Sequence, residues 1–417
     1  MALPATLSVS LNFSSGATFG IPFTLSDPVN GILDTNILSA STTPALVADL
    51  TAQTRSINIR RGRNIYRDTY EAGTCIVRIY DPDSSFNPQN TSSPYYGQLT
   101  PLKKLRKLRI SASVNGVSYY LFSGYTTDYK YSYDQAENMA YVDISASDAF
   151  RLLNLASIET VTGASAGQDT GTRIGKILDT VNFPTQMRDI DTGNTLTVND
   201  PATLRTSLQA IKNAEFSEQG ALFCSPEGDI IFKNRHETIG SAAGTPLAFN
   251  QSGGIPYANL KFAFDDSLII NSVSFQRIGG TAQAYQDADS IATYFPHGLS
   301  TSELIVATDA EVANLAKIYV ATRSDTTIRI DEMTLDLQDP AVPTATILAL
   351  DYFDNVQITN IQPDSSTITK NLQVQGIAHN ITAQTWTTVL TTLEPIVDGF
   401  ILSSSSYGLL NDDILSY

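Results

Sequence analysis

Residues 107–122 read KLRISASVNGVSYYLF. Leu108, Ile110 and Ala112 alternate with Lys107, Arg109 and Ser111, the period-two pattern of a strand with one buried face. Asn115-Gly116 follows, the pair that suits a tight hairpin turn because both central positions sit at positive φ. One strand, a two-residue turn and a return are therefore expected here, and the chain reads as mainly β. The same alternation appears at Leu7, Val9, Leu11 and Phe13, in TCIVRIY (74–80) and in MAYVDISA (139–146). Residues 1–146 are expected to form one β domain.

A long segment interrupts that domain. Residues 80–101, YDPDSSFNPQNTSSPYYGQLTP, hold four prolines, two asparagines and no Lys or Arg. Loops longer than about a dozen residues are usually functional or disordered. The rings of Phe86, Tyr95 and Tyr96 argue against disorder.

After residue 146 the period changes. Ser147 is placed to cap a helix with Ala149, Leu152, Leu153 and Ala156 on its apolar face. Ile174, Ile177, Leu178 and Val181 recur at i, i+3, i+4, i+7. Asp200-Pro201 reads as the start of a helix carrying Leu204, Leu208 and Ile211 and stopping near Gly220. ALFC (221–224) and DIIFK (229–233) flank a turn. Residues 147–240 are expected to form a small α+β insert. Beyond a Gly/Ala/Ser linker at 240–254, strands are expected at 258–264, 267–277, 326–335, 354–360, 366–380 and 384–393. Thr308 and Glu311 have the spacing of a capping box between them. Residues 255–395 thus form a second β domain, with 396–417 as an extension. The fold class is α+β, mainly β: two barrel or sandwich domains around a small insert.

Charged residues are 16% of the 417, against about 25% in ordinary domains. The net charge is −16 but unevenly placed: residues 55–109 hold eleven Lys and Arg against four acids. Such a split points to contact with an acidic surface, another copy of the chain ahead of nucleic acid. Cys75 and Cys224 lie too far apart in sequence to imply a disulfide framework. The first residues, MALPATLSVSLNF, lack the basic and apolar regions of a signal peptide, so the chain is expected to be made in a cytoplasm, with no export signal of its own. No window approaches the ~18 apolar residues of a membrane span.

Motifs for chemistry are weak. GASAG (163–167) matches G-x-S-x-G, but no helix follows directly, as a nucleophile elbow at Ser165 would require. DPDSS (81–85) begins like a calcium loop, yet Phe86 and Ser92 stand where Gly and Glu belong. A turn started by Asp and Pro fits better. His236, His297 and His379 have no partner pattern, and Trp386 reads as a core residue. No catalytic, cofactor or metal site is expected, and no cofactor.

Several stretches resemble a known family. IRRGRNIYRDTYEAGTCIVRIYDPDSSFNPQNTSSPYYGQLTPLKKLRKLRI (59–110), YYLFSGYTTDY (119–129), ISASDAFRLL (144–153) and VQGIAHNITAQTWTTVLTTLEP (374–395) are similar to minor tail proteins of long-tailed bacteriophages, the tail-hub proteins. Arg61-Gly62-Arg63, Ala72-Gly73-Thr74, Phe86-Asn87-Pro88, Ser93-Pro94-Tyr95, Pro101-Leu102 and Leu121-Phe122-Ser123-Gly124 occur in the family's order, and the resemblance covers roughly residues 5–395.

The resemblance implies tail-tube-like β domains, two per chain, in a homotrimeric, pseudo-sixfold ring at the distal end of a virion tail. DNA would pass through its lumen without being specifically bound. Partners would be further copies, the tube or distal tail protein, tip or fibre proteins and the tape-measure protein. In that ring the loop 80–101, with Tyr95 and Tyr96, is expected to reach a neighbouring subunit. Arg60, Arg61, Lys103, Lys104, Arg106 and Lys107 are expected outside the lumen, pairing with acidic neighbours. A carbohydrate-binding adhesin using the tyrosines of 119–133 is the alternative reading, and a cell-wall enzyme using Ser165 is a third.

Overall fold

The computed structural model describes residues 3–14, 16–19, 47–64, 69–96, 102–134, 139–251, 253–326 and 328–395. The loop residues 97–101 and the extension 396–417 lie outside them. The first part contributes β1 (Thr6–Asn12), β2 (Val47–Asp49), β3 (Thr54–Asn64), β4 (Thr69–Tyr80), β5 (Lys107–Val114), β6 (Val117–Asp134) and β7 (Met139–Ser147). The middle holds α1 (Phe150–Leu155), β8 (Ser157–Ile158), α2 (Thr170–Thr180), β9 (Arg188–Ile190), β10 (Arg205–Thr206), α3 (Ser207–Glu218), β11 (Ala221–Cys224), β12 (Ile230–Lys233) and α4 (Arg235–Gly240). The last part holds β13 (Leu247–Asn250), β14 (Asn259–Ala263), β15 (Ser272–Arg277), β16 (Gln283–Gln286), α5 (Ala288–Tyr294), β17 (Gly298–Leu304), α6 (Asp309–Ala321), β18 (Arg329–Asp336), α7 (Thr344–Leu348), β19 (Asn355–Ile361), β20 (Thr367–Thr382) and β21 (Trp386–Leu393).

The molecule is mainly β with helices, built on one large sheet and small mixed sheets. In the large sheet the order is β14-β18-β21-β20-β3-β4-β7-β6-β5-β1-β2, and β13 joins through a parallel pairing with β19, itself beside β20. The two β regions, separated in sequence by the insert, are joined in space where β3 pairs antiparallel with β20. One apolar core runs beneath both. Val9, Ile57, Val77, Ile110 and Ile144 share it with Met333, Val356, Val374, Trp386 and Leu390. A second core packs Ile174, Ile177 and Leu178 of α2 and Ile211 of α3 on Leu222, Ile230 and Phe232. A third sets Val273, Phe275 and Leu304 against Val312, Ala316 and Tyr319 of α6.

The hairpin at Asn115-Gly116 forms, with Val114 opposite Val117 and both turn residues at positive φ. The capping box of α6 is complete, with Thr308 and Glu311 bonding each other's backbone N–H groups. Four sequence expectations shift. Ser147 stays in β7, and the carboxylate of Asp148 instead accepts from the Phe150 N–H at 3.0 Å. Helix α3 starts at Ser207, capped by Thr206. Asp200 does not begin a helix, because its carboxylate is held by Arg205 and the Val161 N–H. The 240–254 linker contains β13. The strand expected from 267 begins at Ser272.

Candidate assembly surfaces

The loop after β4 is a ladder of turns. Ser84, Asn87, Asn90, Ser93 and Tyr96 each donate their N–H to the carbonyl three residues earlier, starting at Asp81, with N···O distances of 3.0–3.2 Å. Pro82, Pro88 and Pro94 occupy the second position of alternate turns, where a φ fixed near −65° is what the turn requires. The residues opening those turns, Asp81, Asn87 and Ser93, each bond back onto the backbone. Asp81 accepts from Ser85 at 2.7 Å and Phe86 at 3.0 Å, Asn87 from Gln89 at 3.0 Å, and Ser93 from Tyr95 at 3.0 Å. The Asp81 carboxylate is thus taken up by its own turn.

Aromatic rings fasten this ladder to the core. Phe86 is fully buried and lies 5.0 Å from the Tyr95 ring and 6.3 Å from that of Tyr129. Tyr95 also stacks on Phe13 at 5.1 Å. Tyr96 instead points out and is 52% exposed. The two tyrosines singled out together therefore have different surroundings: Tyr95 is engaged within its own chain, and Tyr96 is presented.

The six cations also separate. Arg60 is exposed on the outer face of β3. Arg61, its neighbour, is buried and donates to the Cys224 carbonyl at 3.0 Å and to Asp351 at 3.3 Å, with its guanidinium 5.0 Å from the Tyr352 ring. Lys103 is exposed and Arg106 half-buried. Lys104 pairs with Asp128 at 2.6 Å on the surface. Lys107 departs from the strand alternation: it is buried, its ammonium donates to the Thr18 carbonyl at 2.6 Å, and burial lowers its pKa to about 8. The charge excess of 55–109 is thus partly satisfied inside the chain.

Arg61 marks the seam between the sheet halves. Next to it Gly62 faces Gly376 across the β3–β20 pair. A Cβ on Gly62 would lie 2.4 Å from the Gly376 Cα, and φ there is +141°, so only glycine fits. Asp148 sits behind. It accepts from the Gly73 N–H at 2.5 Å, and burial raises its pKa to about 6, opposed by those backbone bonds, the Cys224 thiol and Arg61. Rings of Tyr70, Phe223, Tyr352 and Phe353 close the seam, with centroids 5.0–6.2 Å apart.

The opposite face of the large sheet is open. One row across it reads Asp336, Thr387, Asn380, Asn58, Ile76, Ser145 and Asp128; a second reads Thr334, Val389, Ala378, Arg60 and Thr74. These are mostly small and uncharged. Of the charges, Arg78 holds Asp143 through two bonds of 2.7 and 2.8 Å. Alternation explains the face, since every residue between these in β3 or β4 serves the core.

Ser165 lies exposed in a loop between two positive-φ glycines, Gly163 and Gly167, with α2 starting only at Thr170. His379 is buried against Thr388 and Trp386, and burial lowers its pKa to about 3. Among the described residues no group of three His, Cys, Asp or Glu side chains is placed to hold a metal, and no helix is long and apolar enough to cross a membrane.

No protein-family model and no curated protein matches the chain. Solved structures do. The tail protein from Neisseria meningitidis MC58 superposes with a TM-score of 0.55 at 13% identity, covering 84% of this chain and 94% of that one. The 43 kDa tail protein of prophage MuSo2 from Shewanella oneidensis gives 0.52 at 14% identity, covering 84% and 96%. Over most of its length the chain therefore shares its fold with phage and prophage tail proteins.

Proposed function

We propose that the chain is a structural component of a bacteriophage-type tail: a hub whose three copies form a pseudo-sixfold ring at the distal end of the virion tail. The ring joins the tail tube to the tip or fibres and passes DNA. The observation that carries this reading is the fold shared over 84% of this chain and nearly the full length of two tail proteins. The open sheet face supports it. A surface that lets DNA slide past must avoid unpaired Lys and Arg, because phosphate contacts dominate non-specific affinity. Although Arg60 and Lys130 lie exposed on that face and run against this support, Thr, Ser, Asn and Ala prevail there and Arg78 is neutralised by Asp143. The net charge of −16 acts in the same direction. The role is non-enzymatic in this reading.

Two measurements test it. Sedimentation equilibrium of the purified chain should give three times its 45.1 kDa mass; a monomer at all concentrations counts against the ring. Gold-labelled antibody on intact particles should mark the tail end distal to the head. Label along fibres would instead favour the adhesin, for which the half-exposed stacked pair Tyr131–Tyr133, 5.9 Å between centroids, is the structural argument.

A further inference from the structure

Residues 17–19 lie against the first β unit without joining its sheet. Among the described residues they make no strand pairing and no backbone-to-backbone bond. Side chains hold them instead. The Tyr125 hydroxyl of β6 donates to the Ala17 carbonyl at 2.6 Å, and the Lys107 ammonium of β5 donates to the Thr18 carbonyl at 2.6 Å. Two successive carbonyls bonded in this way, with the next side chain in a pocket, is how proteins hold an extended peptide segment.

Phe19 fills the pocket. It is buried, with its ring 5.3 Å from that of Tyr125 and 4.9 Å from the guanidinium of Arg109. Arg109 in turn donates to the Glu227 carbonyl at 3.0 Å. Glu227 and Gly228 belong to the turn between β11 and β12, at the tip of a hairpin of the insert. A Cβ on Gly228 would lie 2.9 Å from the Phe19 ring and 3.2 Å from the Ser123 Cβ. The ring is therefore a wedge between that tip and the sheet. The rest of the hairpin is secured elsewhere: Arg61 donates to the Cys224 carbonyl, and Ala221 and Phe223 belong to the large core.

We propose that residues 17–19 are a releasable latch. Seated, they fix the tip of the β11–β12 hairpin to the first β unit. On leaving, they free that tip while the sheet stays intact. Release breaks no ladder bond, because the segment belongs to no strand. It gives up the bonds to two carbonyls and the contacts of one ring, and water can take over the exposed carbonyls, the Tyr125 hydroxyl and the Lys107 ammonium. Arg109 makes the coupling direct, since one guanidinium meets both the latch ring and the turn carbonyl. The latch is independent of the tail-hub reading.

Hydrogen exchange on the full chain tests it, with Phe19→Ala and Tyr125→Phe as variants. The amides to follow are those of Ser225, Gly228 and Asp229. Within the turn they donate to the Asp229 carbonyl, the Ser225 carbonyl and the Ser225 hydroxyl. Each should exchange about tenfold faster or more in Phe19→Ala. Tyr125→Phe keeps the ring and removes the bond to Ala17, so the same amides should quicken by about fivefold. In both variants the amides of β20 and β21 should keep their native rates. Unchanged turn amides in both variants overturn the proposal. So does a uniform rise that includes β20 and β21, which would make Phe19 an ordinary core residue. Should Phe19→Ala fail to fold, Tyr125→Phe decides alone.

Discussion

Two regions on β3 and β4 hold the first β unit in different ways. The turn ladder at 81–96 is made of contacts between residues three apart, with Phe86 and Tyr95 as its anchors. The seam at Arg61 and Gly62 joins β3 to β20 and to the insert, across more than 160 residues of sequence to Cys224 and 290 to Asp351. The ladder tolerates change because each turn is a separate small commitment. The seam does not, because one position serves several elements at once.

The sharpest break is Gly62→Val. It places a branched side chain where even a Cβ would meet the Gly376 backbone at 2.4 Å, in a conformation that L residues rarely adopt. A loss on the order of 4 kcal/mol is expected, the range of severe backbone and packing faults. Urea unfolding measures it, and a change under about 1 kcal/mol would show that the β3–β20 approach is not what joins the halves.

Next comes the charge at the seam. The pKa of Asp148 is raised to about 6, chiefly by burial, against about 3.9 when unfolded. Folding therefore prefers the protonated acid, whose stabilising effect is complete below about pH 4 and is lost as pH rises through about 6. Relative to Asp148→Asn, the native chain should gain about 1 kcal/mol between pH 7 and pH 5. Comparing the two proteins cancels the other titrating groups. A difference that does not vary with pH would dismiss the buried acid as the source.

The ladder should respond less. Pro88→Ala leaves the turn bonds in place and mainly frees the unfolded chain, for a loss of about 0.5–1 kcal/mol with an unchanged denaturant slope. Pro82→Ala and Pro94→Ala should behave alike, and the three should add if the turns are independent. A cooperative loss well beyond their sum would mean that the ladder folds as one unit.

The same difference explains what could be read from the sequence. The hairpin at Asn115-Gly116, the capping box at Thr308 and the buried Trp386 are local signals, and each is where expected. The ladder was legible in principle as well, since Asp81-Pro82, Asn87-Pro88 and Ser93-Pro94 recur every six residues. The seam was not. Arg61 and Lys107 look like surface cations, and only the fold shows that a carbonyl of Cys224 or of Thr18 waits for each. Asp200-Pro201 misled for a related reason, because Arg205 captures the carboxylate that would have capped a helix. The exposed sheet face is visible as alternation, but its rows depend on strand order and register, which no window of sequence contains.

The smallest effect on folding is expected at Tyr96, and it separates structure from assembly. Its side chain is 52% exposed, while its neighbour Tyr95 lies between Phe13 and Phe86. Tyr96→Ala should change stability by no more than about 0.5 kcal/mol, as surface substitutions do. If the ladder presents Tyr96 to a neighbouring subunit, the same substitution should still weaken self-association, because exposed aromatic rings on rigid supports are the residues that interfaces use as anchors. Sedimentation at several concentrations reads that weakening directly. An unchanged association constant for Tyr96→Ala, measured beside unchanged stability, would remove the ladder from the contact surface. The search would then move to Arg60 and Lys103, two of the exposed cations of the basic stretch.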